Sequence, residues 1–456
     1  MKKILLTILS LFLISQASFA ATKYDVEEFR NVIHKTKVPK GAVSASLRDI
    51  KTGEVVNEIN SDVQVSPAST QKILSYFSSL NTLGENYNFS TRLYKTKSGD
   101  YYIVLGADPY LTGKDLKELM SNIKIPKNEA LKHLYIDDTI LDNNTWGEGW
   151  QWDDSLNVLM PKFGAYNIDK NLYTVIIRPT VLQTPANIFT NVFYPTTFIN
   201  QTLTVQSGNN IKITKDAEND ISPDALTVNG EVSETTKVQV PVPYLRRYFI
   251  LRLEEALSAN KITYTGKFEK VKVPANAELI GEIKHPISNA SVDILKNSNN
   301  MVAETVFKLA GAKYSKNTGS QSTAMAMFNN YCTTNKIDCS NIRLTDGSGV
   351  SKNNLVTANF MTEYLAKVAQ NYGYDKVKTQ LPTPGEGTLK YRMLLLKDKL
   401  FAKTGTLSNI SGITGYIDTK NGNSYAFAIY VTDGNTSENQ KKILEELLIK
   451  HVYNNK

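Results

Sequence analysis

The stretches Ala42–Arg48 and Glu54–Ile59 are rich in small and β-branched residues, with polar residues set between apolar ones. They predict two strands, and the turn Asp49–Gly53 makes the pair a hairpin. From Pro67 to Leu83 the period changes. Ile73, Leu74, Phe77, Leu80 and Leu83 recur at helical spacing, and Pro67 suits a first turn. Between about Tyr87 and Val273 short β-rich runs return, among them Tyr101–Leu105, Leu172–Ile177 and Lys237–Val242, with one helix, Tyr244–Ala259, near the end. Helical spacing resumes over Val292–Ala312, Ser320–Thr334 and Thr357–Asn371. The chain closes with strands at Leu400–Lys403 and Gly412–Asp418, a third at Tyr425–Val431 after the Asn421-Gly422 turn, and a helix from Ser437 to Val452.

The ends of the chain thus read as α/β (α+β) and the middle as β-rich. The N-terminal hairpin and the C-terminal strands can share one antiparallel sheet flanked by helices, with the middle inserted between them. This predicts one domain from residues 21–88 plus 274–456, and a β-rich insertion, 89–273, divided into two nested subdomains. The last helix carries Ile443, Leu444, Leu447, Leu448 and Val452 on one face. Its shortness and the mixed charge of its polar face favour packing on the sheet over lying on a membrane.

The first twenty residues follow neither period. Lys2 and Lys3 precede an apolar run, Ile4–Ile14, broken only by Thr7 and Ser10, and Ser18-Phe19-Ala20 supplies a signal-peptidase pattern with the cut after Ala20. The run is shorter than the roughly 20 residues of a membrane span. An uncleaved anchor is the competing reading, and the lack of a following stop-transfer pattern disfavours it. No Cys follows the cut for lipid attachment, and nothing downstream resembles an integral membrane segment. An exported mature chain of 436 residues is expected, since 456 − 20 = 436. Its net charge falls from +8 to +6 with the loss of two lysines. That basicity is dispersed, with no cationic run, and does not mark a nucleic-acid binder. Cys332 and Cys339 could close a short disulfide loop in an oxidising compartment, and the sequence leaves that open. The four histidines are far apart without ligand-spaced companions, so no metal or other cofactor is expected.

The candidate chemistry begins at Ser69-Thr-Gln-Lys72, at the start of a predicted helix. A spacing of three sets a serine hydroxyl and a lysine amine on one helical face. Serine needs a neighbouring base, and lysine can serve where burial and nearby positive charge lower its pKa. Free N–H groups at the helix start can stabilise an oxyanion. Alone the motif is weak, because Ser121/Lys124 and Ser258/Lys261 share its spacing. Ser298-Asn-Asn300 is weaker, since Ser-x-Asn recurs at six other serines, and Lys403-Thr404-Gly405 has a decoy in the hairpin turn Lys51-Thr52-Gly53. Only one ordered set places Ser-x-x-Lys at a helix start after Pro-Ala, Ser-x-Asn on a loop opening a helix, and Lys-Thr-Gly at the end of a strand.

With these three elements the sequence resembles the penicillin-recognising serine enzymes. Pro67–Lys72, Asn297–Met301, Ala402–Thr406, Asp346-Gly-Ser-Gly349, Leu381–Leu389, Gly106–Pro109 and Gly149–Asp154 resemble the class C low-molecular-mass penicillin-binding proteins, the S13 peptidase family. The 229 residues from Ser69 to Ser298 and the 105 from Ser298 to Lys403 fit that subfamily, whose members carry inserted domains in the first gap. The resemblance implies a penicillin-binding-protein/β-lactamase-like transpeptidase fold. It also implies D-alanyl-D-alanine carboxypeptidase or endopeptidase action on peptidoglycan stem peptides, with β-lactams as inhibitors, in the periplasm or cell-wall space. Ser69 would be the nucleophile and Lys72 its base. Ser298 would relay a proton to the leaving amine, helped by Lys403. Asn300 would bind the substrate backbone, Thr404 and Gly405 belong to the carboxylate-binding strand, and the N–H groups of Ser69 and Thr406 would form the oxyanion hole. Asn299 stands where the family often has Asp. Asp154 could bind a side-chain ammonium of the peptide, or Asp153 and Asp154 could form a structural turn beside Trp150 and Trp152. The Asp346–Gly349 stretch reads as a tight turn without a catalytic role.

Two other readings compete. A β-lactamase would need a Glu-x-x-x-Asn segment shortly after the second motif, which is missing, and the large insert is foreign to that group. A non-catalytic wall-binding module would not need all three motifs. The balance of carboxypeptidase and endopeptidase action stays open, as does pairing into a homodimer.

Overall fold

The structure is a computed structural model that describes residues 25–126, 129–215 and 224–456. The expected signal peptide lies outside the described residues. The chain divides into two compact units: the described chain up to Ser78 with Ser291–Ser298 and Phe328–Lys456, and Ser79–Ala290 with Asn299–Met327.

The first unit is built on five strands, β1 (Val43–Asp49), β2 (Val55–Ile59), β3 (Leu400–Leu407), β4 (Ile410–Asp418) and β5 (Ser424–Thr432). Their order is β3-β4-β5-β1-β2, and all neighbours are antiparallel. The seam between the chain ends pairs Val43 with Val431 and Asp49 with Tyr425. N-terminal hairpin and C-terminal strands therefore share one sheet, as their pattern predicts.

Alternation along each strand divides the sheet into two faces. Ala45, Leu47, Leu400, Ala402, Ile413, Phe427 and Ile429 point to one core, filled from outside by Phe29 and Ile33 of α1 (Asp25–Ile33) and by Leu444, Leu448 and Val452 of a C-terminal helix, Glu438–Asn455. On the opposite face, the hydroxyls of Ser46 and Thr362 are 3.0 Å apart, and Arg48 donates to Asn359 Oδ1 at 2.6 Å. These contacts seat the helix Ala358–Tyr372, capped by the Thr357 hydroxyl, against that face. After α1, the helices Lys72–Leu83 (α2), Ala358–Tyr372 (α3) and Glu438–Asn455 (α4) follow in chain order. No element is predicted at α1, which has only nine residues. On α4 the predicted apolar stripe is too wide: Leu444 and Leu448 are buried, whereas Ile443 and Leu447 face solvent.

The second unit carries the β-rich texture. Glu278–Pro286, Asn88–Lys95, Tyr101–Val104 and Leu134–Asp137 form a four-stranded sheet in that order. Thr236–Pro241, Leu172–Arg178 and Asn187–Thr190 form one three-stranded sheet, and Phe198–Thr204, Leu226–Val232 and Lys212–Lys215 another. The helices Gly113–Met120, Leu245–Ala259 and Asn300–Ser315 accompany them. The helical spacing over Val292–Ala312 is interrupted at the Ser-x-Asn motif, which lies on a loop opening a helix, as expected. A π-helical turn ends at Lys296, Ser298 takes a left-handed φ of 60°, and the helix restarts at Asn300. Cys332 and Cys339 are free thiols, and burial first, then Cys339, pushes the Cys332 thiol up. Among the described residues, no helix is long and apolar enough to cross a membrane.

Candidate active site

The chain enters α2 through a tight 3₁₀ turn, Ala68–Gln71, so the helix predicted from Pro67 onward is α-helical only from Lys72. Ala68 holds a left-handed φ of 48°, rare for a residue with a Cβ. The turn presents Ser69 at a partly open surface while Thr70, Gln71 and Lys72 are buried. Thr70 anchors it: its hydroxyl donates to the Pro67 carbonyl at 2.7 Å and lies 2.9 Å from the Tyr430 hydroxyl on β5. One turn on, Lys72 Nζ donates to Ser69 Oγ at 3.0 Å. The decoy pair behaves differently. Lys124 Nζ donates to the backbone carbonyl of Ser121, on an exposed surface, and the Ser121 hydroxyl turns to the Glu118 carbonyl.

A fully buried amine needs partners for its hydrogens. Lys72 finds one in the carbonyl of Ser348, at 2.7 Å, and Ser75 on the same helix donates to the carbonyl of Gly347 at 2.6 Å. These carbonyls are aimed by Asp346, itself buried. Its Oδ1 accepts from Gly349 N at 2.8 Å, Asn354 Nδ2 at 2.9 Å and Gln71 Nε2 at 3.1 Å, and its Oδ2 accepts from Ser351 N at 2.7 Å. Gly349 takes a φ of 81°, and a Cβ there would lie 2.0 Å from the Ala68 carbonyl oxygen. The turn expected at Asp346–Gly349 is present, with a part in the site that sequence reading did not give it. The only hint was an Asp at the head of Gly-Ser-Gly with an Asn eight residues on.

Ser298 and Lys403 form a second hydroxyl–amine pair. Lys403 lies on β3 with its side chain opposite the Leu400/Ala402 core, on the face that also carries Thr414 and Tyr430. Its Nζ donates to Ser298 Oγ at 2.9 Å and to the Thr404 carbonyl at 2.8 Å. Burial, and after it the positive charge of Lys72, holds the Lys403 amine well below the usual lysine range. Ser298 reaches this position because the chain breaks at its left-handed residue. Asn299 then caps the next helix by accepting from Val302 N at 3.0 Å. Asp would cap equally well there, so Asn at this position leaves the local structure intact.

Thr404, Gly405 and Thr406 continue β3, the edge strand of the sheet, beyond Lys403. A Cβ on Gly405 would stand 2.8 Å from the Pro67 carbonyl oxygen and 2.9 Å from Ser69 N, so the strand passes against the serine turn only because glycine occupies this position. Thr404 is half-buried and Thr406 exposed. Ser69, Lys72, Ser298, Lys403 and Thr404–Thr406 all lie in the first unit. Asn300 and Asp154 lie in the second. Asn300 is buried there and donates to the Leu159 carbonyl at 2.8 Å. Asp154 belongs to a 3₁₀ turn, Trp152–Leu156, and its carbonyl accepts from Asn157 N at 2.9 Å. Of the flanking tryptophans, Trp150 is buried and Trp152 exposed.

A partly exposed serine held by a buried lysine, with a second serine–lysine pair beside it, is equipped for acyl transfer with lysine amines in place of a histidine base. This is the class of a lysine-assisted serine hydrolase. The chain belongs to the D-Ala-D-Ala carboxypeptidase 3 (S13) family, whose signature spans residues 27–450, and its enzyme class is that of a serine-type D-Ala-D-Ala carboxypeptidase. It is 22% identical over 451 residues to a D-alanyl-D-alanine carboxypeptidase DacB of Haemophilus influenzae, covering 92% of each chain. It is 25% identical over 425 residues to a D-alanyl-D-alanine carboxypeptidase of Actinomadura sp., covering 86% of this chain and 78% of the other. The crystal structure of penicillin binding protein 4 from Haemophilus influenzae shares the fold, with a TM-score of 0.79 at 20% identity over 93% of this chain and 99% of that one.

Proposed function

We propose that Ser69 cleaves the terminal D-alanyl-D-alanine bond of peptidoglycan stem peptides through an acyl-enzyme. Lys72 takes the hydroxyl proton as Ser69 Oγ bonds to the carbonyl carbon of the penultimate D-Ala. The negative charge on the carbonyl oxygen is received by the N–H groups of Ser69 and Thr406. When the C–N bond breaks, Ser298 passes a proton to the departing amine and regains one from Lys403. Water then attacks the ester and gives a proton to Lys403, through Ser298, while Ser69 takes its proton back from Lys72, so both amines return to their starting states. Thr404 and Gly405 receive the terminal carboxylate beside the Lys403 amine, and Asn300 holds the peptide backbone. Asp154 contacts an ammonium on the stem-peptide side chain.

One observation carries the reading: two hydroxyl–amine contacts, Ser69–Lys72 at 3.0 Å and Ser298–Lys403 at 2.9 Å, in one unit. The lowered pKa of Lys403 supports it. A peptide cross-linked through D-Ala presents the same carbonyl with a different leaving amine, so endopeptidase action uses the same steps. A β-lactam presents a strained amide to the same serine, in line with the Haemophilus influenzae structure described as complexed with a novel beta-lactam. The signal sequence supports export to the periplasm or cell-wall space, and the domain at 21–88 plus 274–456 carries the chemistry.

The test is release of D-Ala from a soluble peptide ending in D-Ala-D-Ala, alongside turnover of a chromogenic cephalosporin. We expect D-Ala release that Ser69→Ala abolishes, with slow cephalosporin turnover. Rapid cephalosporin hydrolysis without D-Ala release would support a β-lactamase instead, and unchanged peptide cleavage by Ser69→Ala would remove Ser69 from the mechanism.

A further inference from the structure

The first unit carries an apolar surface that the catalytic reading leaves unused. Between Gly387 and Lys399 the chain makes two short 3₁₀ turns, and Met393 between them takes a left-handed φ of 50°. This projects Tyr391, Leu394 and Leu395 outward with 82%, 58% and 94% of their surface exposed. Arg392 turns the other way and fastens the segment to α4, donating to Glu446 Oε1 at 2.9 Å, Glu445 Oε2 at 3.0 Å and the Lys442 carbonyl. The clamp engages the side of α4 that carries Lys442, Glu445 and Glu446; Ile443 and Leu447, 46% and 37% exposed, lie on another face of that helix. Three large apolar side chains exposed within five residues of one loop are not the scattered surface hydrophobes of a soluble protein.

Charge distinguishes among occupants. Lys390, Lys397 and Lys399 are exposed on the loop. Lys390 Nζ lies over the Tyr391 ring at 5.2 Å. Of the nearby carboxylates, Glu386 meets Lys296 while Glu445 and Glu446 share the one charge of Arg392, so Lys390, Lys397 and Lys399 stand against Asp398 and one glutamate charge. A second copy docking through this patch by two-fold symmetry would set these lysines against themselves. Apolar side chains ringed by lysines suit an anionic bilayer surface, where leucine and tyrosine enter the interface and ammoniums meet headgroup phosphates.

We propose that Tyr391, Leu394 and Leu395, with Lys390, Lys397 and Lys399, form a docking surface for an anionic phospholipid membrane. Leu389 and Leu396 anchor the loop in the core on the side of the sheet opposite the Lys403 side chain, so docking leaves the catalytic face of the sheet uncovered. The proposal rests on the reading that the mature chain is exported.

The test is co-sedimentation of the full mature chain with vesicles of phosphatidylglycerol and phosphatidylcholine, compared with phosphatidylcholine alone, at low and high salt. The wild type is expected to bind the anionic vesicles, to bind the neutral ones weakly, and to release with salt. Leu394→Ser/Leu395→Ser should lower partitioning roughly tenfold or more, and Lys390→Gln/Lys397→Gln by roughly fivefold per lysine. Both variants should release D-Ala from soluble peptide at the wild-type rate, which keeps this result separate from the catalytic assignment. Absence of wild-type binding, equal binding to neutral vesicles, or a dimer in light scattering that Leu394→Ser/Leu395→Ser dissolves would each overturn the proposal.

Discussion

Replacing Lys403 with methionine is expected to remove activity and, below the lysine range, to raise stability. Activity should fall about 10²- to 10⁴-fold, the usual contribution of a positioned acid or base, because Ser298 loses the amine that contacts it at 2.9 Å. The stability effect follows from the lowered pKa, caused by burial and then by the Lys72 charge. A lysine whose folded pKa lies below its unfolded value weakens the folded state fully at pH below the folded pKa. That penalty fades as pH rises towards the unfolded value of about 10.4. The advantage of Lys403→Met should therefore be largest near pH 6 and shrink by pH 10, read by urea unfolding at both. The lost bonds to Ser298 and Thr404 offset part of the gain at every pH, so the trend with pH is the quantity to measure. An advantage that grows with pH would contradict the assignment.

Asp346→Ala should cause the largest structural loss. The carboxylate accepts from the backbone of Gly349 and Ser351 and from the side chains of Asn354 and Gln71, all buried. Orphaning several buried donors costs about 3–5 kcal/mol. The loop would then no longer hold the Ser348 carbonyl against Lys72. Asp346→Asn keeps the shape and one acceptor oxygen, so its stability should lie between wild type and alanine. If Asp346 positions Lys72 through this loop, folded Asp346→Asn should acylate more slowly with little change in KM. A purely structural role would leave its acylation rate at the wild-type value once folded.

The sheet was legible because the hairpin and the last three strands carry their own signals: a turn at Asp49–Gly53, another at Asn421-Gly422, and β-rich runs on either side. The Ser69–Lys72 pair was legible because helical geometry converts a spacing of three into contact. The break at Ser298 was visible only as a motif. Apolar residues continue through Ile294, Leu295, Met301 and Val302 at spacings that suit an unbroken helix, and nothing in that periodicity records a left-handed serine. The Asp346 loop escaped because it acts on Lys72 through backbone carbonyls, which every residue possesses. The outward Ile443 and Leu447 escaped for another reason. A stripe of five apolar residues on a helix reads as one buried face, and only the packed structure shows that the sheet covers part of it.

The central claim is that Ser69 forms a covalent acyl-enzyme, and intact-mass measurement after incubation with benzylpenicillin, followed by peptide mapping, tests it most directly. The mechanism predicts a single added benzylpenicillin on the peptide containing Ser69, absent in Ser69→Ala and slow to form in Lys72→Met. An adduct on another residue, or no adduct on a folded wild-type chain, would contradict it.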